Sequence, residues 1–289
     1  MFRRNRHGRS IKLGTLALEG VRPVVEGRLF TKAGRVSMRG LWGEKPVKIF
    51  ECASSGHAGF VGRMMMEAPC ARFFPDVYAV HERLVICEWV RGRQISPRTI
   101  VIDTACRAQL EELVASLRGA APPTESGFDY VEDFVLPRFR RCCVGLGLRE
   151  FQARIETHWD VMRDRAEGKC VSHPDLSPAN MIMTAEGQMK IVDNELLGMS
   201  RAPWFDELNM AFALGGEGIR KAGVLRTLLR PLLELTGAGY NEHLVSMWLM
   251  RLAGTLFVAG DLRGVIAMAA TPVATHLESS VIWRTLRAC

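Results

Sequence analysis

The sequence predicts an α+β fold in two lobes, a small sheet carrying one helix and then a larger, mostly helical part. From Ile11 to about Val90, short apolar runs such as Val47-Lys48-Ile49-Phe50 and Leu84-Val85-Ile86-Cys87 alternate with Gly, Pro and charged turns, the pattern of strands. Beyond Arg93 the apolar residues recur at helical spacing instead, and no low-complexity linker separates the two patterns. With 289 residues, 48% of them hydrophobic, the chain can bury a large core shared by touching lobes.

Within the first part, Gly59 to Ala68 is long enough for a helix and stops before Pro69, because proline disfavours helical backbone in the residue preceding it. Gly92 marks the passage between parts, giving a basic arm over residues 1–10, a sheet lobe over 11–92 and a helical lobe over 93–289. In the helical lobe, Leu110, Leu113, Val114 and Leu117 share a face after Asp103 or Thr104 as cap, with Gly119 and Pro122-Pro123 ending the helix. Ile155, Trp159 and Met162 share a second face between Glu150 and Ala166, closed by Gly168. Val224, Leu225, Leu228, Leu229, Leu232 and Leu233 make a third stripe, which Pro231 must kink or divide. Between these blocks Met181-Ile182-Met183, a turn at Ala185-Glu186-Gly187 and Met189 to Val192 read as an isolated β-hairpin.

The most apolar region, Leu244 to Val273, is interrupted by Arg251, Asp261 and Arg263, charges too costly for a bilayer core, so buried helices are expected and no transmembrane segment. Arg3, Arg4, Arg6 and Arg9 precede no apolar stretch, so a secretory signal peptide does not fit and secretion is disfavoured. Eight cysteines without a CxxC pair read as reduced thiols in a cytoplasmic protein. A net charge of +7 steers anions towards the protein and leaves peripheral association with an anionic membrane open. Nucleic acid is disfavoured, because no aromatic-rich RNA-binding motif accompanies the basic residues. Met64, Met65 and Met66 read as core filler, and His57, His81, His158, His243 and His276 carry no partner pattern.

The chemistry concentrates in His173-Pro174-Asp175-Leu176-Ser177-Pro178-Ala179-Asn180. Phosphoryl transfer from ATP needs an acceptor hydroxyl aimed at the γ-phosphate, metal ions neutralising the phosphate oxygens, and a cation on the nucleotide's phosphates. The H-x-D-x-x-x-x-N spacing puts Asp175 and Asn180 on one short loop, suited respectively to receiving the hydroxyl proton and ligating magnesium. The hairpin then returns a second carboxylate, Asp193, to the loop that carries Asn180.

With these residues the sequence resembles the protein-kinase-like superfamily, especially its small-molecule branch of aminoglycoside phosphotransferases and choline kinases, over most of the chain. The resemblance implies a bilobal kinase-like fold with a small antiparallel β-sheet, and ATP and Mg2+ as cofactors. It casts Asp175 as catalytic base or hydroxyl positioner, Asn180 and Asp193 as magnesium ligands, and His173 as a loop-stabilising residue. Asp206, in Pro203-Trp204-Phe205-Asp206, matches the aspartate that orders the catalytic loop's backbone. Lys48 matches the lysine of the third strand, and Glu67, nineteen residues on, is its expected helix partner, with Glu51 and Glu82 as alternatives. Cys87 to Gly92 matches the interlobe hinge, whose backbone holds adenine and here includes Glu88 and Val90.

Two departures narrow the expectation. Asp193 is followed by Asn194-Glu195 where protein kinases have Phe-Gly, and Glu26 to Gly34 offers no GxGxxG. Together these favour a kinase of a small molecule or a glycan, including a lipid-linked sugar. The alternatives are a kinase-like scaffold and an atypical protein kinase of RIO type. Arg138, Arg140 and Arg141 tilt the expected acceptor towards a phosphorylated sugar or lipid-linked saccharide.

Overall fold

In this computed structural model, which describes residues 9–13, 16–24, 37–120, 128–165, 169–202, 204–216, 229–279 and 283, the first part is one antiparallel sheet. Its strands are β1 (Arg9–Leu13), β2 (Leu16–Pro23), β3 (Ser37–Trp42), β4 (Lys45–Glu51), β5 (Val77–His81) and β6 (Leu84–Glu88), ordered β1-β2-β3-β4-β6-β5. Arg9 and Ser10 already belong to β1, so the arm expected over residues 1–10 runs into paired strand. Residues 1–8 and the turn expected over Glu26 to Gly34 lie outside the described residues.

Alternation along β4 aims Lys48. Val47 and Ile49 pack on one face with Leu18, Val21 and Ile86, while Phe50 joins the main core on the other. Lys48 therefore shares the inward face with Phe50, and across the ladder it lies opposite Cys87. Helix α1 (Ser55–Glu67) covers this face. It starts four residues before the expected Gly59, because the Ser54 hydroxyl caps it by accepting from the His57 amide at 3.1 Å. It stops where Ala68 turns extended before Pro69. Only glycine fits at position 62, where an added Cβ would meet Val80 of β5.

The second part holds β7 (Arg93–Gln94), α2 (Pro97–Ile102), α3 (Thr104–Gly119), α4 (Leu136–Leu146), α5 (Arg149–Asp164), α6 (Trp204–Gly216), α7 (Arg230–Gly237), α8 (Asn241–Ala259), α9 (Leu262–Ala270) and α10 (Val273–Ser279). Asp103 caps α3 by accepting from the Cys106 amide at 3.0 Å. Pro231 sits in the first turn of α7, where its missing N–H costs no bond. Val224, Leu225 and Leu228 of the same stripe lie outside the described residues. Helix α8 is wrapped by α4, α5, α9 and α10 and buries Leu244, Val245, Met247, Leu249 and Met250. Among the described residues no helix is long and apolar enough to cross a membrane. Helix α4 was not expected, because its basic residues masked the buried stripe Leu136, Phe139, Cys142 and Cys143.

Four short strands frame the loop between these helices: β8 (Cys170–Ser172), β9 (Met181–Met183), β10 (Met189–Ile191) and β11 (Gly198–Ser200). β9 and β10 form the expected hairpin, with Met181 opposite Ile191, and β11 pairs with β8. β7 pairs with β9, so the chain leaving the sheet is laid at once along the hairpin. Gly92 allows this approach, since a Cβ there would fall on the Met183 carbonyl oxygen.

Candidate active site

The loop from His173 to Asn180 is held by buried polar contacts at its base. The Ser172 hydroxyl donates to Asp206 Oδ1 at 2.7 Å, and the His173 amide donates to Asp206 Oδ2 at 2.8 Å. Asn209, three residues along α6, donates to the Pro174 carbonyl. From the other side, His173 Nε2 lies 3.0 Å from Asn194 Oδ1, and Asn194 Nδ2 donates to the Ile191 carbonyl at 3.1 Å. Helix α6 and the hairpin's end thus grip the loop's start from two directions.

Burial pushes the Asp206 carboxyl up to about 7, against the pull of Ser172, the His173 amide and Arg118. The native state therefore holds this proton more tightly than the unfolded chain. The contribution to stability is complete below the unfolded value of 3.8 and is lost as pH rises through about 7. Asp206→Ala leaves one buried amide and one buried hydroxyl without their acceptor, at about 1–3 kcal/mol each. Urea unfolding should show a loss of about 2–6 kcal/mol, and a loss near zero would mean that the loop is not held through Asp206.

Past its base, the loop turns its polar residues towards the cleft. Asn180 Nδ2 donates to both the backbone oxygen and Oδ2 of Asp175, each at 2.9 Å. The Val192 amide donates to the Asn180 carbonyl at 2.8 Å, which sets Asp193 beside Asn180. Asp193 itself takes φ = +68°, the left-handed conformation that Asp and Asn tolerate better than other residues with a Cβ. This bend breaks the strand direction of β10 and turns the carboxylate to Lys48, whose ammonium pairs with Asp193 Oδ1. Glu195 Oε2 stands 4.0 Å from the same ammonium.

Burial by itself lowers the Lys48 pKa, but the Glu195 and Asp193 carboxylates outweigh it and the net shift is upward. Lys48 is therefore a fixed cation in the cleft. Across the ladder, burial pushes the Cys87 thiol up to about 12, so it stays protonated beside that cation.

Glu67 does not fill the role expected of it. It occupies the last position of α1, exposed, while the buried side of that helix carries His57, Phe60, Val61, Met64 and Met65 and no carboxylate. Of the alternatives, Glu51 pairs with Arg83 at 3.2 Å and Glu82 sits in the β5–β6 turn. The Lys48 partners come instead from the segment after the hairpin, as Asp193 and Glu195. Glu195 had been read only as a departure from Phe-Gly; two residues past Asp193, its spacing was the available signal.

What α1 contributes is His57. The Ala53 amide donates to His57 Nδ1 at 3.0 Å, so the proton lies on Nε2, which donates to the Leu197 carbonyl at 2.7 Å. The ring stacks on Phe128, with centroids 4.2 Å apart. No pattern in the sequence pairs a helix histidine with a carbonyl 140 residues away.

Lys48, Phe50, Glu88, Trp89, Val90, Ile182 and Asp193 line one cavity between sheet and hairpin. The connector that carries Glu88 is fixed where the Glu88 amide donates to the Asp76 carbonyl at 2.8 Å and the Trp89 amide to the Pro46 carbonyl at 3.1 Å. Among the described residues no group of three or more His, Cys, Asp or Glu could hold a metal. Asp193 lines this cavity, and Asn180 is tied to the adjoining Val192 through its carbonyl; a carboxylate and an amide oxygen are ligands of the kind magnesium takes when phosphate oxygens complete the shell.

On the far side of Asp175 stands Arg251 of α8, 3.6 Å from Oδ1. The sequence had offered it only as a charge interrupting an apolar stretch, and an arginine in the middle of an otherwise buried helix was the signal. The basic run Arg138–Arg141 does not form one patch. Arg140 donates two hydrogen bonds to the Glu156 carboxylate at 3.0 and 2.7 Å on the surface, Arg141 is exposed, and Arg138 lies over Phe134 at 4.0 Å.

No family model matches the chain, and no curated protein does. Solved structures match in fold. A choline/ethanolamine kinase family protein from Mesorhizobium loti superposes with a TM-score of 0.54 at 15% identity, covering 93% of this chain and 92% of that one. LicA in complex with AMP gives 0.58 at 10% identity, covering 89% and 93%. An aminoglycoside phosphotransferase gives 0.55 at 13% identity, covering 94% and 95%. The antiparallel sheet with its single covering helix, the helical second part and these superpositions agree: the chain has the bilobal, protein-kinase-like α+β fold seen in structures of small-molecule kinases.

Proposed function

We propose that this protein is an ATP- and Mg2+-dependent phosphotransferase that moves the γ-phosphate to a hydroxyl of a small molecule or glycan. One observation carries the reading: Lys48 pairs with Asp193, the Val192 amide next to Asp193 bonds the Asn180 carbonyl, and Asn180 bonds Asp175, so the sheet, the hairpin's end and the loop are linked. The backbone of Glu88 and Val90 holds adenine at the cavity's outer end, and Lys48 meets the α- and β-phosphates. Asn180 and Asp193 hold magnesium, which supplies neutralisation of the phosphate oxygens. Asp175 accepts the acceptor's hydroxyl proton, and Asn180 keeps its carboxylate oriented. Transfer of this kind is mostly positioning and electrostatics, which suits a site whose groups are already locked by neighbours. Likeness in fold to kinases that act on small hydroxyl compounds supports the same reading.

A thermal melt tests the nucleotide half directly. ATP with Mg2+ at one hundred times its dissociation constant should add about 2.7 kcal/mol, a rise of a few degrees for a chain of this size. Asp193→Asn should remove the magnesium-dependent part of the rise. No rise with any nucleotide and magnesium would sink the proposal in favour of a kinase-like scaffold.

A further inference from the structure

Resting on the phosphotransferase reading, we infer that the acceptor is an anionic hydroxyl compound, carrying a phosphate or carboxylate close to the reacting hydroxyl, and that Arg251 is the residue that anchors this anion.

The placement of Arg251 carries the inference. Its guanidinium lies 3.6 Å from Asp175 Oδ1, so any hydroxyl brought to that carboxylate enters beside a fixed positive charge. Arg251 keeps 23% of its side chain exposed and Asp175 keeps 20%, so both can be reached from solvent. The guanidinium rests over the Trp248 ring at 5.3 Å, one turn back along α8, which restricts its orientation in advance. With its planar fork of donors, arginine can keep one edge on Asp175 and offer another to an incoming anion.

Arg138 of α4 packs against α8 at Gly254, one turn on from Arg251, where an added Cβ would lie 3.1 Å from the Arg138 Cβ. Tyr130 is buried, and its hydroxyl accepts a hydrogen bond from the Arg251 guanidinium while also feeling the charge of Asp175. Asp175 thus has Arg251 beside it, with Trp248 and Tyr130 against the guanidinium. A cationic acceptor would bring like charge against Arg251, whereas a phosphate or carboxylate finds its complement there.

The test uses the full-length protein saturated with a non-hydrolysable ATP analogue and Mg2+, which removes turnover from the first readout. Matched alcohols are added at millimolar concentration: glycerol 3-phosphate and glycerate, glycerol, and choline, with glucose 6-phosphate, glucose and glucosamine as a second set. The anionic members should raise the melting temperature of the wild type, and Arg251→Gln should abolish that rise while the rise from nucleotide alone persists. Phosphates raising it without carboxylates would name the anion as a phosphate ester. In turnover assays with ATP, Arg251→Gln should raise the KM of the anionic acceptor about 10- to 100-fold with a smaller change in kcat. Arg251→Lys should recover part of it. A rise given only by cationic or neutral members, or by none, overturns the inference, as does an anionic rise that survives Arg251→Gln. A fall in kcat with KM unchanged would make Arg251 a support for Asp175 and also overturn it. Failure of the phosphotransferase reading is separate, since it is read from the nucleotide melt before any alcohol is added.

Discussion

Asp175→Asn lowers turnover by about 10²- to 10⁴-fold, the range set by loss of a general base, with the nucleotide-induced rise in melting temperature unchanged. The substitution is nearly isosteric, so the amide still accepts from Asn180 on one side and leaves Asn180 and Asp193 in place. What it removes is the charge and basicity that receive the hydroxyl proton, together with the partner of Arg251. Steady-state rates with ATP and the preferred acceptor, set beside melts with ATP and Mg2+, separate the outcomes. Turnover within threefold of wild type would move the base elsewhere. Loss of the nucleotide response as well would mean that the loop had collapsed.

Lys48→Met destabilises the protein by about 3–5 kcal/mol in urea unfolding, the cost of removing one partner from a buried ion pair. The Lys48 and Glu195 side chains are only 8% and 7% exposed, so the Glu195 charge loses the Lys48 ammonium in a dry setting. Asp193, at 36%, is better hydrated and contributes less to the penalty. Adding Glu195→Gln to Lys48→Met should therefore regain most of the loss, because the second change removes the charge that the first left exposed to low dielectric. An additive double variant would overturn the pairing. The sign in pH follows from the raised Lys48 value. Its contribution is complete below the unfolded pKa of 10.5 and is lost only as pH rises through the still higher folded value, so the penalty stays constant across neutral pH.

The sheet lobe, the hairpin and the loop were legible because each rests on local rules: alternation, a short turn, and residues at fixed spacing. Lys48 was found for the same reason, since its apolar flanks declare a strand face. Its partners were not, because pairing across 145 residues depends on where the chain bends, and the left-handed turn at Asp193 is what carries Glu195 back to β4. Glu67 failed on a similar point. Spacing from Lys48 says nothing of which face of α1 a residue occupies, and the cap at Ser54 sets the register that leaves Glu67 outside. Arg251 was misread because charge within an apolar run was weighed only against a bilayer, whereas tertiary packing turned it towards Asp175.

The His57 bridge has a dynamic consequence. Swinging α1 away from the cleft requires breaking a buried hydrogen bond to the Leu197 carbonyl and unstacking the ring from Phe128. At about 1–3 kcal/mol for the hydrogen bond alone, the swung-out state is suppressed by roughly 5- to 150-fold. The helix therefore acts as a strut rather than a switch. The molecule rests with α1 seated against the cleft.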